Sequence, residues 1–526
     1  MIQRRTSSAR SVSTAFSDTS FDEAHGIRKV SFSNNIQNVI SIAIILSERL
    51  ITGITFVLPK SIISACTRTV RLLLNFEKTN NDAYDKLISQ QDSALTNDAF
   101  LQRIEQLRTA CSFEELCEIN GFVSESHLVQ TKDGYGLTIH RLNPETNGFK
   151  SNGKAVFLQH GLLMNSEIWC VRIRKDDNIP FRLCELGYDV FLGNNRGNKY
   201  SSYCKDADIH DKKFWNFSID ELALYDIPAS IDYVLKLKSI SKLTYIGFSQ
   251  GCSQFLASVS VNRDLNEKID KLILLAPATT PKKSSNWLIN SIVNLQPKVF
   301  FFLFGKKILM QSILFWLKIV YPPLFIKLID IPNRILFGWH SNNMDISQKL
   351  VAYFHLYSTT SVKCVVHWFQ IIRSTKFQMY QESSLFPSFE YPIRAAMKIP
   401  KVLLVYGMAD SLVDIDVILH QLPEYDSADV EYLDSDDTSG NDEKDEIKLQ
   451  DDLSGKEGLE SSGDQVDITE DNIKVNEAES RMLDSADMGH KSIHIVGVKN
   501  HEHLDLIWGN KVENKIIQKV VNFVVN

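Results

Sequence analysis

The sequence predicts an α/β fold with a mostly parallel sheet, and three observations carry that expectation. Short apolar runs that read as buried strands recur along the chain, at Ala155–Gln159, Tyr188–Leu192, Leu243–Phe248, Lys271–Pro277, Val402–Tyr406 and Ile493–Val498, with helix-compatible stretches between them. A Gly-x-Ser-x-Gly pentapeptide, Gly247 to Gly251, stands where one such run gives way to a helical one. An acid and a histidine then follow near the ends of the last two runs, in the chain order Ser, Asp, His that a nucleophile elbow on such a sheet requires.

Composition bounds the rest. A chain of 526 residues with 44% apolar content can bury one large core or two ordinary ones, and the motif spacing favours one catalytic domain with additions. A net charge of −7 offers no basic field, so nucleic acid is not an expected partner. The eight cysteines (66, 111, 117, 170, 184, 204, 252 and 364) have neither paired nor zinc-binding spacing and read as reduced thiols, with no metal site. One glycosylation sequon, Asn216-Phe-Ser218, falls where a helix starts and reads as a chance occurrence.

Residues 1–35 are rich in Ser, Thr, Arg and Asn and are expected to form a disordered polar tail without a signal-peptide pattern. Residues 36–75 are expected to anchor the chain to a membrane. Ile36–Pro59 is apolar and long enough to span, yet Glu48 and Arg49 interrupt it, so two arms dipping into one leaflet compete with a straight span. Basic residues on both flanks (Arg28, Lys29, Lys60, Arg68, Arg71) do not drive the two ends apart. A soluble helix packed on the core is the plainer alternative, but the segment has little polar face. Residues 76–112 read as a polar, helix-compatible linker, and the catalytic domain, 113–526, opens near Phe113.

Within that domain, His127–Arg141 reads as a hairpin turning at Asp133-Gly134. The strand Ala155–Gln159 runs into His160-Gly161-Leu162, a loop placed to supply a backbone N–H to an oxyanion. His160 precedes the serine and is expected to pack beside the site, not to act as its base. A glycine-bearing loop, Gly193–Asn198, follows the next strand, and Phe214–Leu235 reads as a helix started by a Ser218/Glu221 capping box. At the elbow, Gly247 and Gly251 remove side chains that would clash across the sharp turn carrying Ser249, whose hydroxyl must stand clear of its backbone to act as a nucleophile.

Residues 282–393 break the strand–helix rhythm with apolar, aromatic-rich segments (Trp287, Phe300–Phe302, Trp316, Trp339, Trp368), which fit a helical cap over a deep lipid pocket as well as ordinary core. After the strand Val402–Tyr406, Asp410 stands where an acid would orient a histidine, whereas Asp414 reads as the start of the next helix. Residues 426–490 are rich in Asp, Glu, Ser and Gly and are expected to be a disordered acidic insert. The last strand delivers two histidines, His501 and His503, and chain order alone does not separate them. His494, within that strand, reads as structural.

The passages HLVQTKDGYGL, LQHGLLMNSEIW, GYDVFLGNNRGNKYS, FWNFSIDELALYDIPASIDYVL, GFSQG, LAPA, KFQMY and HLDLIWG, in this order, resemble the acid lipase family of α/β-hydrolases, and most of all its membrane-anchored sterol ester hydrolases of yeasts. The resemblance implies an α/β-hydrolase fold with a helical cap and places the general base on His503. It implies acyl transfer: Ser249 attacks, His503 moves the proton, Asp410 holds the imidazole, and the N–H groups of Gln250 and Leu162 bind the oxyanion. No cofactor is required. The expected substrates are long-chain sterol esters, with triacylglycerol as the alternative. The expected setting is a membrane or lipid-droplet surface, or the endoplasmic reticulum, with the catalytic domain in the cytosol. An inactive lipid-binding or scaffold protein on the same fold is the alternative of another class.

Overall fold

The structure is a computed structural model that describes residues 98–282, 287–305, 308–309, 322–383, 386–434 and 490–526. The expected polar tail, the anchoring segment 36–75 and residues 435–489 of the acidic insert lie outside the described residues. Among the described residues no helix is long and apolar enough to cross a membrane.

Alternating apolar residues and an Asp-Gly turn produce the opening hairpin, β1 (Glu125–Gln130) and β2 (Tyr135–Leu142), paired antiparallel with Val129 opposite Leu137 and Gly134 at φ 92°. The continuous apolar runs become strands buried almost throughout, β3 (Ala155–Gln159), β4 (Asp189–Leu192), β6 (Leu243–Phe248), β7 (Ile269–Leu275) and β10 (Lys401–Gly407), and β12 (Ser492–Val498), whose Ser492 and His494 are half-buried. With β5 (Tyr203–Cys204) beside β2 and β11 (Ser427–Leu433) at the far edge, the sheet runs β1-β2-β4-β3-β6-β7-β10-β12-β11. Every pair from β4 to β11 is parallel, so the carboxyl ends of β3, β6, β10 and β12 open on one rim. A separate two-stranded pair joins β8 (Ile308–Leu309) to β9 (Thr360–Ser361). In the core, Leu158, Ile246, Ile273, Leu404 and Ile495 come from five adjacent strands; each large side chain so buried contributes about 1.5–3 kcal/mol.

Between β7 and β10 lie helices α1 (Trp287–Val293), α2 (Pro297–Phe304), α3 (Pro322–Phe337), α4 (Ile346–Leu356) and α5 (Val362–Ser374), the aromatic-rich stretch of the sequence. Side chains of α1, α3 and α5 come together over the Ser249 rim of the sheet.

Two expectations need correction. Residues 98–109, assigned to the helix-compatible linker, form a helix that belongs to the domain, with Ile104 and Leu107 buried in the main core; the i, i+3 apolar pair was hidden by its charged neighbours. Ser427–Leu433, assigned to the disordered insert, is the parallel edge strand β11, with Val430 opposite Ile495. Its exposed acids give it a disordered composition, although edge strands commonly carry charge to discourage further pairing. The helix within Phe214–Leu235 starts at the Ser218/Glu221 capping box, as expected, with Ile219 as its first residue, and continues to Lys238. It carries a π turn at Leu222–Asp226, just before Pro228, which has no N–H to donate to an i−4 carbonyl.

Candidate active site

Four sheet loops meet at the rim. Ser249 follows β6 directly and adopts φ 52°, ψ −116°, a conformation that costs a non-glycine residue about 1–3 kcal/mol and lifts its side chain off the turn. The space around the turn explains both glycines. A Cβ on Gly251 would sit 2.3 Å from the Gln159 carbonyl oxygen, and one on Gly247 would sit 2.8 Å from the Cys252 nitrogen. Residues Gln250–Val261 form the helix behind the serine, and the first amide of a helix has no intrahelical partner, which leaves the Gln250 N–H available to an oxyanion. Leu162 follows β3 and lines the same cavity as Ser249. Gly161 is close under the serine: a Cβ there would lie 3.1 Å from Ser249 Cβ.

Asp410 and His503 come from β10 and β12, neighbours in the sheet. The Met408 N–H donates to the Val498 carbonyl (3.0 Å) and the Ala409 N–H to the His501 carbonyl (3.1 Å), stitching the two loops together. His503 Nδ1 meets Asp410 Oδ2 at 2.6 Å, with both side chains buried. The other carboxylate oxygen accepts the Leu412 N–H at 2.9 Å. Asp410 accepts the hydrogen bond of the His503 Nδ1–H, which leaves Nε2 with the lone pair a general base needs. Ser249, Gln250, Leu162 and His503 all line one cavity of about 320 Å³.

The rival residues lie elsewhere. His501 is buried with Nδ1 at 2.9 Å from the Lys499 carbonyl, and burial depresses its pKa. Asp414 occupies the N-cap position of the helix Ile415–Gln421, with no side-chain hydrogen bond to that helix. His160 packs beside the elbow: its Nδ1–H donates to the Gly161 carbonyl at 2.8 Å and its Nε2 accepts the Asn195 N–H at 3.1 Å, while burial pulls its pKa down to about 4. Asn195 Oδ1 also accepts from Gln159 (2.9 Å) and Gln254 (3.1 Å), so the loop after β4 braces β3 and the elbow helix. His494 pairs with Asp429 across the sheet edge.

Sequence reasoning missed several residues of the site. Trp339 stacks on His503, and Trp368 of α5 donates its indole N–H to Gln250 Oε1 at 2.7 Å. Both were visible only as two aromatics among many. Glu502 accepts the main-chain N–H groups of His340 (2.8 and 2.9 Å to its two oxygens) and Ser341 (2.8 Å), tying the segment after α3 to the histidine loop. Its place beside His503 was the only available signal.

The rest of the cavity is apolar: Leu163, Met164, Ile289, Val293, Leu336, Phe337 and Phe369 are among its lining. Known proteins share the sequence that builds this site. Residues 154–425 match the α/β hydrolase fold family, and residues 113–173 match its partial α/β-hydrolase lipase region. The chain belongs to the acid lipase family of α/β-hydrolases. A probable lipase of Schizosaccharomyces pombe is 44% identical over 344 residues, covering 63% of this chain and 73% of that protein. Human gastric triacylglycerol lipase is 33% identical over 270 residues, covering 50% of this chain and 67% of the human protein. A Crotalus adamanteus relative whose name couples lysosomal acid lipase with cholesteryl ester hydrolase is 32% identical over 299 residues, covering 55% and 74%. The residues that build the cavity thus belong to a lipase, an enzyme that hydrolyses esters.

Proposed function

We propose that this lipase is a serine hydrolase that cleaves long-chain lipid esters through an acyl-enzyme, with sterol esters as its leading substrates. Ser249 attacks the ester carbonyl, His503 takes the serine proton and returns it to the leaving alcohol, and Asp410 holds the imidazole and stabilises its charged form. The N–H groups of Gln250 and Leu162 bind the oxyanion, and water then releases the fatty acid. The observation that carries this reading is the 2.6 Å His503–Asp410 bond, with His503 and Ser249 lining one apolar cavity. An apolar cavity of this kind suits an acyl chain or a sterol body.

Sterol esters are favoured by the resemblance of the motifs to membrane-anchored sterol ester hydrolases and by the apolar segment 36–75. That segment would hold the enzyme on a lipid-droplet or endoplasmic reticulum surface, catalytic domain on the cytosolic side. Triacylglycerol is the second reading, favoured by the name of the human relative. Purified protein should therefore react with a fluorophosphonate at Ser249 and release oleate from cholesteryl oleate, ergosteryl oleate or trioleoylglycerol presented in one emulsion. Protein that takes the label on no residue and releases no oleate from any of the three is instead a lipid-binding member of the fold.

A further inference from the structure

The helices between β7 and β10 reach the oxyanion residues as well as the apolar cavity. Helix α5 sets Val365, Trp368, Phe369 and Ile372 along one face, three and four residues apart, and all four line the cavity. From that face the Trp368 indole N–H donates to Gln250 Oε1 at 2.7 Å, and the Cys364 thiol, one turn earlier on the helix, donates to the same oxygen at 3.6 Å. All three residues are buried. Gln250 is the first residue of the elbow helix, the one whose main-chain N–H has no intrahelical partner and is left to the oxyanion.

The segment leading into α5 holds the loop of the other oxyanion residue. The Ser358 N–H donates to the carbonyl of Leu163, next in the chain to Leu162, at 2.6 Å. Ser358 and Thr359 are themselves fastened to the loop after β4: Ser358 Oγ accepts the Lys199 N–H at 2.9 Å, and Thr359 Oγ1 donates to the Gly197 carbonyl at 2.6 Å. Ser361 then caps α5 by accepting the Cys364 N–H at 2.9 Å. Leu163 at φ 59° and Ser249 at φ 52°, the neighbours of the two oxyanion residues, both adopt a positive φ. Non-glycine residues persist in such conformations only where surrounding contacts over-determine them. Residues 358–368 supply one such contact to each loop.

We infer that Trp368 is a positioning residue for acyl transfer: through its bond to Gln250 Oε1 it fixes the first residue of the elbow helix, and with it the N–H that binds the oxyanion. It acts through Gln250 and not on the reacting atoms. A displacement of about 1 Å can cost up to a hundredfold in rate. The oxyanion exists only from the transition state onward, so loss of this tether lowers kcat and leaves the binding of the uncharged ester nearly intact. This role rests on the serine hydrolase reading above and adds a residue of the helical segment to its machinery.

The test compares the full chain with Trp368→Phe, Gln250→Met and the double variant. Phenylalanine keeps a ring on the cavity wall without the N–H, and methionine keeps the length of Gln250 and its main-chain N–H without the acceptor. Active sites are counted by fluorophosphonate titration, and kcat per site is measured on a soluble short-chain ester. Each single variant should lose about tenfold in kcat while KM stays within about twofold. Its affinity for a short-chain trifluoromethyl ketone, to which Ser249 Oγ adds to give a tetrahedral oxyanion, should fall by the same factor. Its affinity for octanol, which fills the cavity without an oxyanion, should not. The double variant should be no slower than the slower single, since both changes break one bond. Parent kcat per site in either single variant overturns the role, as does a slow variant with parent affinity for the ketone, or a double variant whose losses multiply. Fewer active sites at parent kcat per site would mean a bond that serves folding alone, and this too overturns it. If Trp368→Phe gives too few sites to assay, Gln250→Met decides by the same kcat and ketone affinity. A parent chain that takes no label overturns the serine hydrolase reading instead.

Discussion

The indole of Trp339 lies parallel to the imidazole of His503, with ring centroids 5.1 Å apart and planes 8° apart. Phe248, at the end of β6, approaches the same imidazole at 5.2 Å. His503 is thus held by two aromatic rings and by Asp410, and the ring contributed by the helical segment is anchored through Glu502. Glu502→Ala should release the His340–Ser341 turn and loosen the stack. Displacements of about 1 Å can cost up to a hundredfold, so turnover should fall by about tenfold or more while KM changes less. Steady-state kinetics on a soluble short-chain ester check this, and a variant with parent turnover would show that the grip on His340 and Ser341 is not transmitted to His503.

The position of the base separates the two histidines. Ser249→Ala, Asp410→Asn and His503→Ala should each lower turnover by about 10⁴-fold, since triad members act as a unit. His501→Ala should retain most activity, because its ring faces the Lys499 carbonyl and not Asp410. Circular dichroism alongside kinetics distinguishes lost chemistry from lost folding. A dead, folded His501→Ala would move the base to that residue.

Gly407 controls how closely β10 approaches the histidine loop. A Cβ there would lie 2.2 Å from the His501 carbonyl oxygen and 3.2 Å from that of Glu502, both main-chain atoms. Gly407→Ala must therefore push the loop bearing His503 away from Asp410. Its stability in urea should drop by about 2–4 kcal/mol, and its remaining folded fraction should turn over slowly. Parent stability and parent turnover together would contradict the close approach.

Asp505 carries a pH signature. It is buried, and burial together with the nearby charges of Glu502 and Asp410 raises its pKa to about 7 against the hydrogen bond it accepts from the Glu502 N–H. An acid whose folded pKa is raised binds more protons when folded, so its contribution favours folding at low pH and is lost as pH rises from about 4 through 7. Asp505→Asn, which cannot ionise, should flatten that slope and unfold at a higher temperature than the parent at pH 8. Melting curves at pH 5 and pH 8 measure the difference, and equal slopes for both proteins would contradict the assignment.

The sequence alone determined the parallel α/β sheet, the elbow and the Ser, Asp, His order, because each is written locally. Apolar runs, a Gly-x-Ser-x-Gly turn and residues just past strand ends need no knowledge of partners. Chain order narrowed the base to two histidines and the HLDLIWG resemblance favoured His503, and the tertiary structure puts His503, not His501, on Asp410. That choice depends on how β10 and β12 align, and both histidines follow the same strand. Local composition misled where context overrides it: the acids of Ser427–Leu433 read as disorder until the edge of β12 supplied hydrogen-bond partners for that segment. Trp339 and Glu502 carried only a faint local signal, one aromatic among many and a place beside His503. Their roles arise from contacts between a helix that begins at Pro322 and a loop at residue 503, and such long-range packing exists only once the chain has folded.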